Sequence, residues 1–334
     1  MRKKLILLFM AITLVAGLGA VSGCRGVGKT GEVVAIDLVP QTANFAASVN
    51  LNRVLADADV QDVIGELTAS AGQPKTFDEL LNLAKEETGV DFRDFSEMLV
   101  FGEIGNTDYI GAIAKGSFNQ AALITSIKNA TGEELSATDY KGYQIYSSPS
   151  DKAAICFITS DTLIGGSTAI VKDAIDVKEG APSLDEPIYD TYKAMGDAWV
   201  TAALGVPAEA TAELGEAVPL ALAFFQNMEA VGFSFNKAGD NLSFQLKVLF
   251  IDSASAGDAK GMFDLVKGMV AMTSDVPREV SEMLDRLNVV QSDAWLILSL
   301  EATKAEIQAW AQALAPALQP EIQQKAAPVR EQVK

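Results

Sequence analysis

Between residues 228 and 250 the chain alternates apolar and small or polar side chains on both sides of a turn. Phe233 and Phe235 alternate with Gly232 and Ser234, the turn "NKAGD" follows, and then Phe244, Leu246, Val248 and Phe250 alternate with polar positions as far as Leu249. A period of two places every second side chain on one face of a strand, so this stretch specifies an antiparallel hairpin with one packed face. Strands of a doubly wound parallel sheet are covered on both faces and read as apolar throughout, which this pattern excludes.

The same reading extends along the chain. "KGYQIYSS", "KAAICFIT" and "DTLIGGS" are three short strands separated by turn residues, spaced as in an antiparallel meander. "TANFAASVN" and "AWVTAALGVP" read as further strands, as do "SEMLVFGEI", "DYIGAIAKG" and "AWLILSLE". "TFDELLNLAKEETGV" is an amphipathic helix with a glycine stop at Gly89, and "SFNQAALITSIKNATG" is a helix ended by Gly132. After residue 50, with Asn50 or Asn52 as N-cap, a helix has a consistent apolar face only if it bends or restarts near Asp57. Other helices are expected at 167–177, in "AELGEAVPLALAFFQN", in "SAGDAKGMFDLVKGMVAM", in "PREVSEMLDRL" and in "TKAEIQAWAQALA".

The charged, proline-containing stretch "KEGAPSLDEP" is the best linker. On either side of it the chain repeats a rhythm of strand, helices, hairpin or meander, helix and strand. The expected class is therefore α+β, in two similar halves, each a mainly antiparallel sheet packed with helices. The divisions are a signal peptide at 1–23, a lipidated N-terminus and tether at 24–36, one α+β unit at 37–182, a second at 183–315 and a loosely ordered tail at 316–334.

Residues 23–30, "GCRGVGKT", match the phosphate-loop string G-x-x-x-x-G-K-[ST]. Such a loop needs a strand before it and a helix directly after it, so that backbone N–H groups converge on the phosphates. Upstream are Arg2, Lys3 and Lys4 and an uncharged apolar run from Leu5 to Val21; downstream is the β-branched "TGEVVAIDLVP". Both flanks are wrong for a phosphate loop. Basic start, apolar run and small-residue end are those of a secretory signal.

Within that signal, Val21-Ser22-Gly23-Cys24 resembles the lipobox of bacterial lipoprotein precursors. The resemblance implies a diacylglycerol thioether on Cys24, cleavage between Gly23 and Cys24, and acylation of the new amino terminus. It places the protein outside the cytoplasm, held to the cell membrane or the outer membrane by lipid. Arg25 stands where an inner-membrane retention aspartate would be, so in a double-membraned cell the outer membrane is favoured. Cleavage would remove three cations from a chain whose formal charge is already −18. A surface this acidic repels nucleic acid and anionic headgroups.

The chain has no histidine. That removes Ser-His-Asp and Cys-His catalysis and the ordinary zinc sites. "GGSTA" at Gly165–Ala169 is not a nucleophile elbow and reads as the turn into a helix. Thr125-Ser126-Ile127-Lys128 contains no S-x-x-K. Asp57, Asp59 and Asp62 look like the start of a calcium loop, but Asp62 stands where glycine is needed and Thr68 where glutamate is needed, leaving a solvated helix shoulder. Cys156, among apolar residues in "AAICFIT", reads as a buried small hydrophobe, and Glu86-Glu87 and Glu133-Glu134 as exposed charges. No cofactor, metal or catalytic residue is expected.

Met262, Met269, Met272 and Met283 gather in the helices after the hairpin, with Phe263, Leu265 and Val266. The ordinary role for them is core packing against the sheet. The functional alternative is an adaptable apolar groove. The mature region is similar in style to uncharacterised bacterial surface lipoproteins with duplicated α+β domains. The expected function is a non-enzymatic, lipid-anchored extracytoplasmic protein that binds a protein partner or apolar ligand; the alternatives are a solute-binding lipoprotein of a transport system and a histidine-free hydrolase.

Overall fold

A computed structural model describes residues 34–61, 76–150, 152–206, 227–273 and 277–310. Residues 1–33, with the phosphate-loop string, the signal and Cys24, lie outside them, as do the expected helix after Pro207 and the tail.

Twelve strands form one sheet. In the first half they are β1 (Phe45–Asn50), β2 (Phe95–Glu103), β3 (Asn106–Gly116), β4 (Ser136–Tyr140), β5 (Tyr143–Ser147), β6 (Ala154–Phe157) and β7 (Thr162–Gly166). In the second they are β8 (Val200–Gly205), β9 (Met228–Ala238), β10 (Asn241–Phe250), β11 (Asn288–Ser292) and β12 (Trp295–Thr303). Their spatial order is β11-β12-β10-β9-β8-β1-β2-β3-β7-β6-β5-β4. Every neighbouring pair is antiparallel. The class is α+β, as the alternation requires.

The two halves have one topology. In each, the first three strands lie side by side in chain order, a helix follows the third, and the last strand returns to pair with the third. This gives β1-β2-β3-β7 on one side and β8-β9-β10-β12 on the other. The halves meet through β1 and β8, with Ala47 opposite Ala202 at the centre of the pairing. Because that pairing is antiparallel, the two strand orders run outward from it in opposite directions.

The helices are α1 (Leu51–Ala56), α2 (Phe77–Thr88), α3 (Gln120–Thr131), α4 (Thr168–Lys178), α5 (Glu186–Ala194), α6 (Ser253–Met272) and α7 (Arg278–Arg286), with further helical residues at 58–61 and 304–310. Their ends follow from local chemistry. Asn50 caps α1 by accepting from the Arg53 N–H, and the helix stops at Asp57. Asp57 then accepts from Val60 N–H at 3.1 Å and starts the next turn, the expected restart. Thr76 and Glu79 form a reciprocal capping box on α2, and Gly89, at φ 74°, ends it in the left-handed region.

Alternate residues divide the packing between the faces. Met98, Ala114 and Leu163 join Val49 and Phe235 under α1, α2 and α3 on the first face. Their neighbours Leu99, Phe101, Ile113 and Ile164 face the other way, against α4 and the segment around Ile36 and Leu38. α5 covers β8 and β9 on this second face, close enough that a Cβ on Gly232 would lie 2.7 Å from Thr191 and Met195. Two tyrosine hydroxyls fasten α4 to the sheet: Tyr109 donates to Asp173 at 3.0 Å and Tyr140 to Asp176 at 2.9 Å.

Three elements are additions to the sequence reading. β4 and β11 are the two sheet edges, and their polar, largely exposed residues carry little apolar signal. α5 begins within the expected linker, at Glu186 and Pro187. The preceding stretch is tied down: Ser183 bridges Pro40, and the Leu184 N–H donates to Val39 at 2.8 Å.

Opposite Gly111 lies Phe101, fully buried, with its ring over the glycine. A Cβ there would lie 2.5 Å from the Phe101 ring and 2.7 Å from Ile170 of α4. Gly111→Ala is expected to lower unfolding free energy by about 1–3 kcal/mol, the range for overpacking a closed core. Urea denaturation checks this, with Gly105→Ala, which meets nothing within 4 Å but has φ 91°, separating backbone strain from crowding.

Candidate functional site

The cysteine, serine, threonine and acidic residues weighed in the sequence take the following places in the fold. Cys156 is fully buried against the second face, and burial pushes its thiol up to about 11. Ser167 caps α4 by accepting from the Ile170 N–H, the turn into a helix read from "GGSTA". In α3, Thr125 donates to the Ala121 carbonyl one turn back, and Lys128 pairs with Glu134. Glu86, Glu87, Glu133 and Glu134 are exposed.

Asp57 and Asp59 are less solvated than a helix shoulder suggests. Lys237, only 4% exposed on β9, places its ammonium 2.6 Å from Asp59 and 3.5 Å from Asp57. Lys304 approaches Asp59 from the other side at 2.7 Å. Two cations and two anions thus join the helical turn at 58–61 to the second half. Hydrogen bonds from Lys237 and then Lys304 hold the Asp59 carboxyl down at about 2. The lysine that answers "DADVQD" lies 178 residues away, so no local pattern could reveal it.

A second acidic group lines an open depression of about 360 Å³, formed by Asp37, Ser183, Leu184, Glu186, Tyr189 and Asp190. Tyr189 donates to Asp37 at 2.8 Å, and burial together with that carboxylate pushes its phenol up to about 12. Lys193 stands 3.6 Å from Asp37. Lys193 offsets one of the three carboxylates, so the depression stays acidic.

The methionine-rich helix is the feature the core-packing expectation does not explain. Asp252 caps α6 by accepting from Ser255 N–H at 2.7 Å, and Gln291 donates to the Ser253 carbonyl at 2.7 Å. This fixes the first turns beside β11. Ala256 and Ala259 pack onto Val248, Phe250 and Leu296. They lie on the same face as α1–α3, since Leu246 is opposite Phe233 and Phe235 belongs to the cluster under those helices.

Beyond Ala259 no residue of α6 is buried. Leu265 is 59% exposed, Met269 49% and Met272 88%. Two apolar stripes explain this. Ala256, Ala259 and Phe263 follow one face of the helix, while Leu265, Met269 and Met272, spaced four and three apart, follow another. One stripe meets the sheet and the second cannot. Met262 and Met283 are half-buried, so none of the four methionines belongs to the closed core. α7 packs beside α6 and has no buried residue, its polar side carrying the Arg278–Glu282 pair at 2.7 Å. No described helix is long and apolar enough to cross a membrane.

No family model matches the chain, and no curated protein does. Among solved structures it is similar to TP0453. Crystal form I aligns at TM-score 0.42 with 7% identity, covering 86% of this chain and 99% of that one. Crystal form III aligns at 0.43 with 10% identity, covering 85% and 100%.

Removing Lys237 leaves Asp57 short of its partner while Asp59 keeps Lys304. Lys237→Ala is expected to cost on the order of 2 kcal/mol, below the 3–5 of a fully enclosed pair, with Lys237→Met costing less because it refills the stem's volume. Because the folded Asp59 carboxyl lies below its ordinary value of 3.8, its contribution is complete above about pH 4 and lost as pH falls toward 2. The stability gap between wild type and Asp59→Asn should therefore close over that interval in acid-unfolding titrations.

Proposed function

We propose that this chain is a lipid-anchored extracytoplasmic protein, attached through Cys24, that works by binding a protein partner or an apolar ligand and not by catalysis. The observation that carries the reading is the outer stripe of α6, where Leu265, Met269 and Met272 stand in solvent on a helix already seated by its other face. A soluble protein gains nothing from such a stripe unless something covers it, since each side chain forgoes about 1.5–3 kcal/mol of burial. Methionine suits a surface that must fit more than one shape.

The anchor supports the same reading. Cys24 is ten residues before Val34, the first described, so an extended tether of at most roughly 35 Å would hold the body near the bilayer. Diacylglycerol plus an N-terminal acyl chain would anchor it stably, where one chain alone would not. The solute-binding alternative needs two lobes closing on a cleft. One sheet through both halves, joined at β1 and β8, offers no such hinge among the described residues.

Cys24→Ser is expected to accumulate as unprocessed precursor that takes up no radiolabelled fatty acid. Normal maturation and labelling of that variant would refute the anchor. For the surface, an apolar dye such as anilinonaphthalene sulfonate should bind the chain from Arg25 onward, which contains every described element. Met269→Glu should cut the bound fluorescence at least threefold with unchanged circular dichroism; equal fluorescence would refute the assignment to α6.

A further inference from the structure

The two edges of the sheet are built differently. β4, at one end, is exposed along most of its length and carries the charge of Asp139. β11, at the other end, reads Asn288-Val289-Val290-Gln291-Ser292, with no charge and no proline. Its register with β12 runs unbroken from end to end, so no bulge twists it away. Charges, prolines and bulges are devices that keep a lone edge from pairing, and β11 has none of the three. Among the described residues no strand lies beyond it, so one row of its backbone N–H and C=O groups points outward.

The side chains at this edge are also unfinished. The registers set Val290, Ile297, Lys247 and Gly232 in one row across β11, β12, β10 and β9, with Trp295 opposite Leu249 in the row beside it. Gly232 lies under Thr191 of α5, so this is the second face of the sheet. Toward the edge the cover ends: Trp295, Ile297 and Leu249 are half-buried, and Val290 is 43% exposed. An apolar row therefore runs out to the last strand and stops there.

We infer that β11 is a homodimer interface: two copies of this chain pair edge to edge through Asn288–Ser292, antiparallel about Val290. The contact is separate from the outer face of α6 and does not depend on it. A strand that fits this edge must be uncharged, with an apolar centre between polar ends, and β11 itself meets that description. Turned about Val290, the two copies set valine against valine and Asn288 against Ser292. The apolar row then continues across the junction as Ile297, Val290, Val290 and Ile297. A charged partner strand would find no opposite charge on β11, and the nearby Arg286 is already held by Glu306. The chain joins β1 to β8 in the same way, two antiparallel edges meeting through Val49, Val200 and small residues. Because the chain as a whole is strongly acidic, at −18, while the paired strands are neutral, screening by salt should tighten the dimer.

Sedimentation equilibrium of the chain from Arg25 onward tests this. A monomer–dimer equilibrium is expected at micromolar concentration, strengthened at least threefold when salt cuts the screening length from about 10 Å to about 3 Å. Val290→Lys sets like charges face to face and should weaken the dimer at least tenfold with unchanged circular dichroism. Val290→Cys reads the register, since opposed Cα atoms of an antiparallel pair lie about 4.5–5.5 Å apart, within disulfide reach. Oxidation should link that variant at least tenfold faster than Val34→Cys, whose site is 42% exposed, and the buried Cys156 does not compete. A monomer at every concentration, a dimer that salt dissolves, equal dimerisation by Val290→Lys, or equal linkage at Val290 and Val34 overturns the proposal. Two other results also overturn it. Masses that grow past the dimer with concentration would mean that β11 meets β4 of the next copy. Self-association lost in Met269→Glu but kept in Val290→Lys would place the contact on α6.

Discussion

The pairing of β1 with β8 is the interaction on which the rest depends. Each strand is the first of its half, and each would otherwise be an open edge. Joined antiparallel, with Val49 opposite Val200 and Ala47 opposite Ala202, they turn two small sheets into one of twelve strands. The small residues at this junction leave both faces free for helices. Because the junction sets one register across both halves, it also decides which side each helix must cover.

Among the described residues the two halves cover the first face differently. In the first half α1, α2 and α3 close over Val49, Met98 and Leu163. In the second, α6 closes over Val248, Phe250 and Leu296 with its first turns. The Lys237–Asp59 pair and Lys304 tie the first-half helical turn to second-half elements, so the covered part ends in an ionic seam. Past it, α6 continues as an apolar helix on the outside of the molecule. The proposed function rests on this difference between the halves among the described residues.

Much of the architecture was legible because its signals are local. The Phe233–Phe250 alternation became β9 and β10 with Phe233 opposite Leu246, and Gly89 and Gly132 stopped their helices. What was not legible depends on partners distant in sequence. β4 and β11 are strands because β5 and β12 offer them an edge, not because "SATDY" or "NVVQS" alternate strongly. Lys237 is buried because Asp57 and Asp59 meet it from across the fold. The methionines of α6 look like core in sequence, since helical spacing cannot say whether a second apolar stripe finds a neighbour. Cys24 is the opposite case: it is legible only in sequence and lies outside the described residues.

Methionine oxidation reads the openness of α6 most directly. Under limiting hydrogen peroxide, thioether oxidation follows solvent access. Met269 and Met272 should convert to sulfoxides at least tenfold faster than Met98 and Met195, which are 7% and 6% exposed. Equal rates for all four, or protection of Met269 and Met272 in the isolated chain, would contradict it.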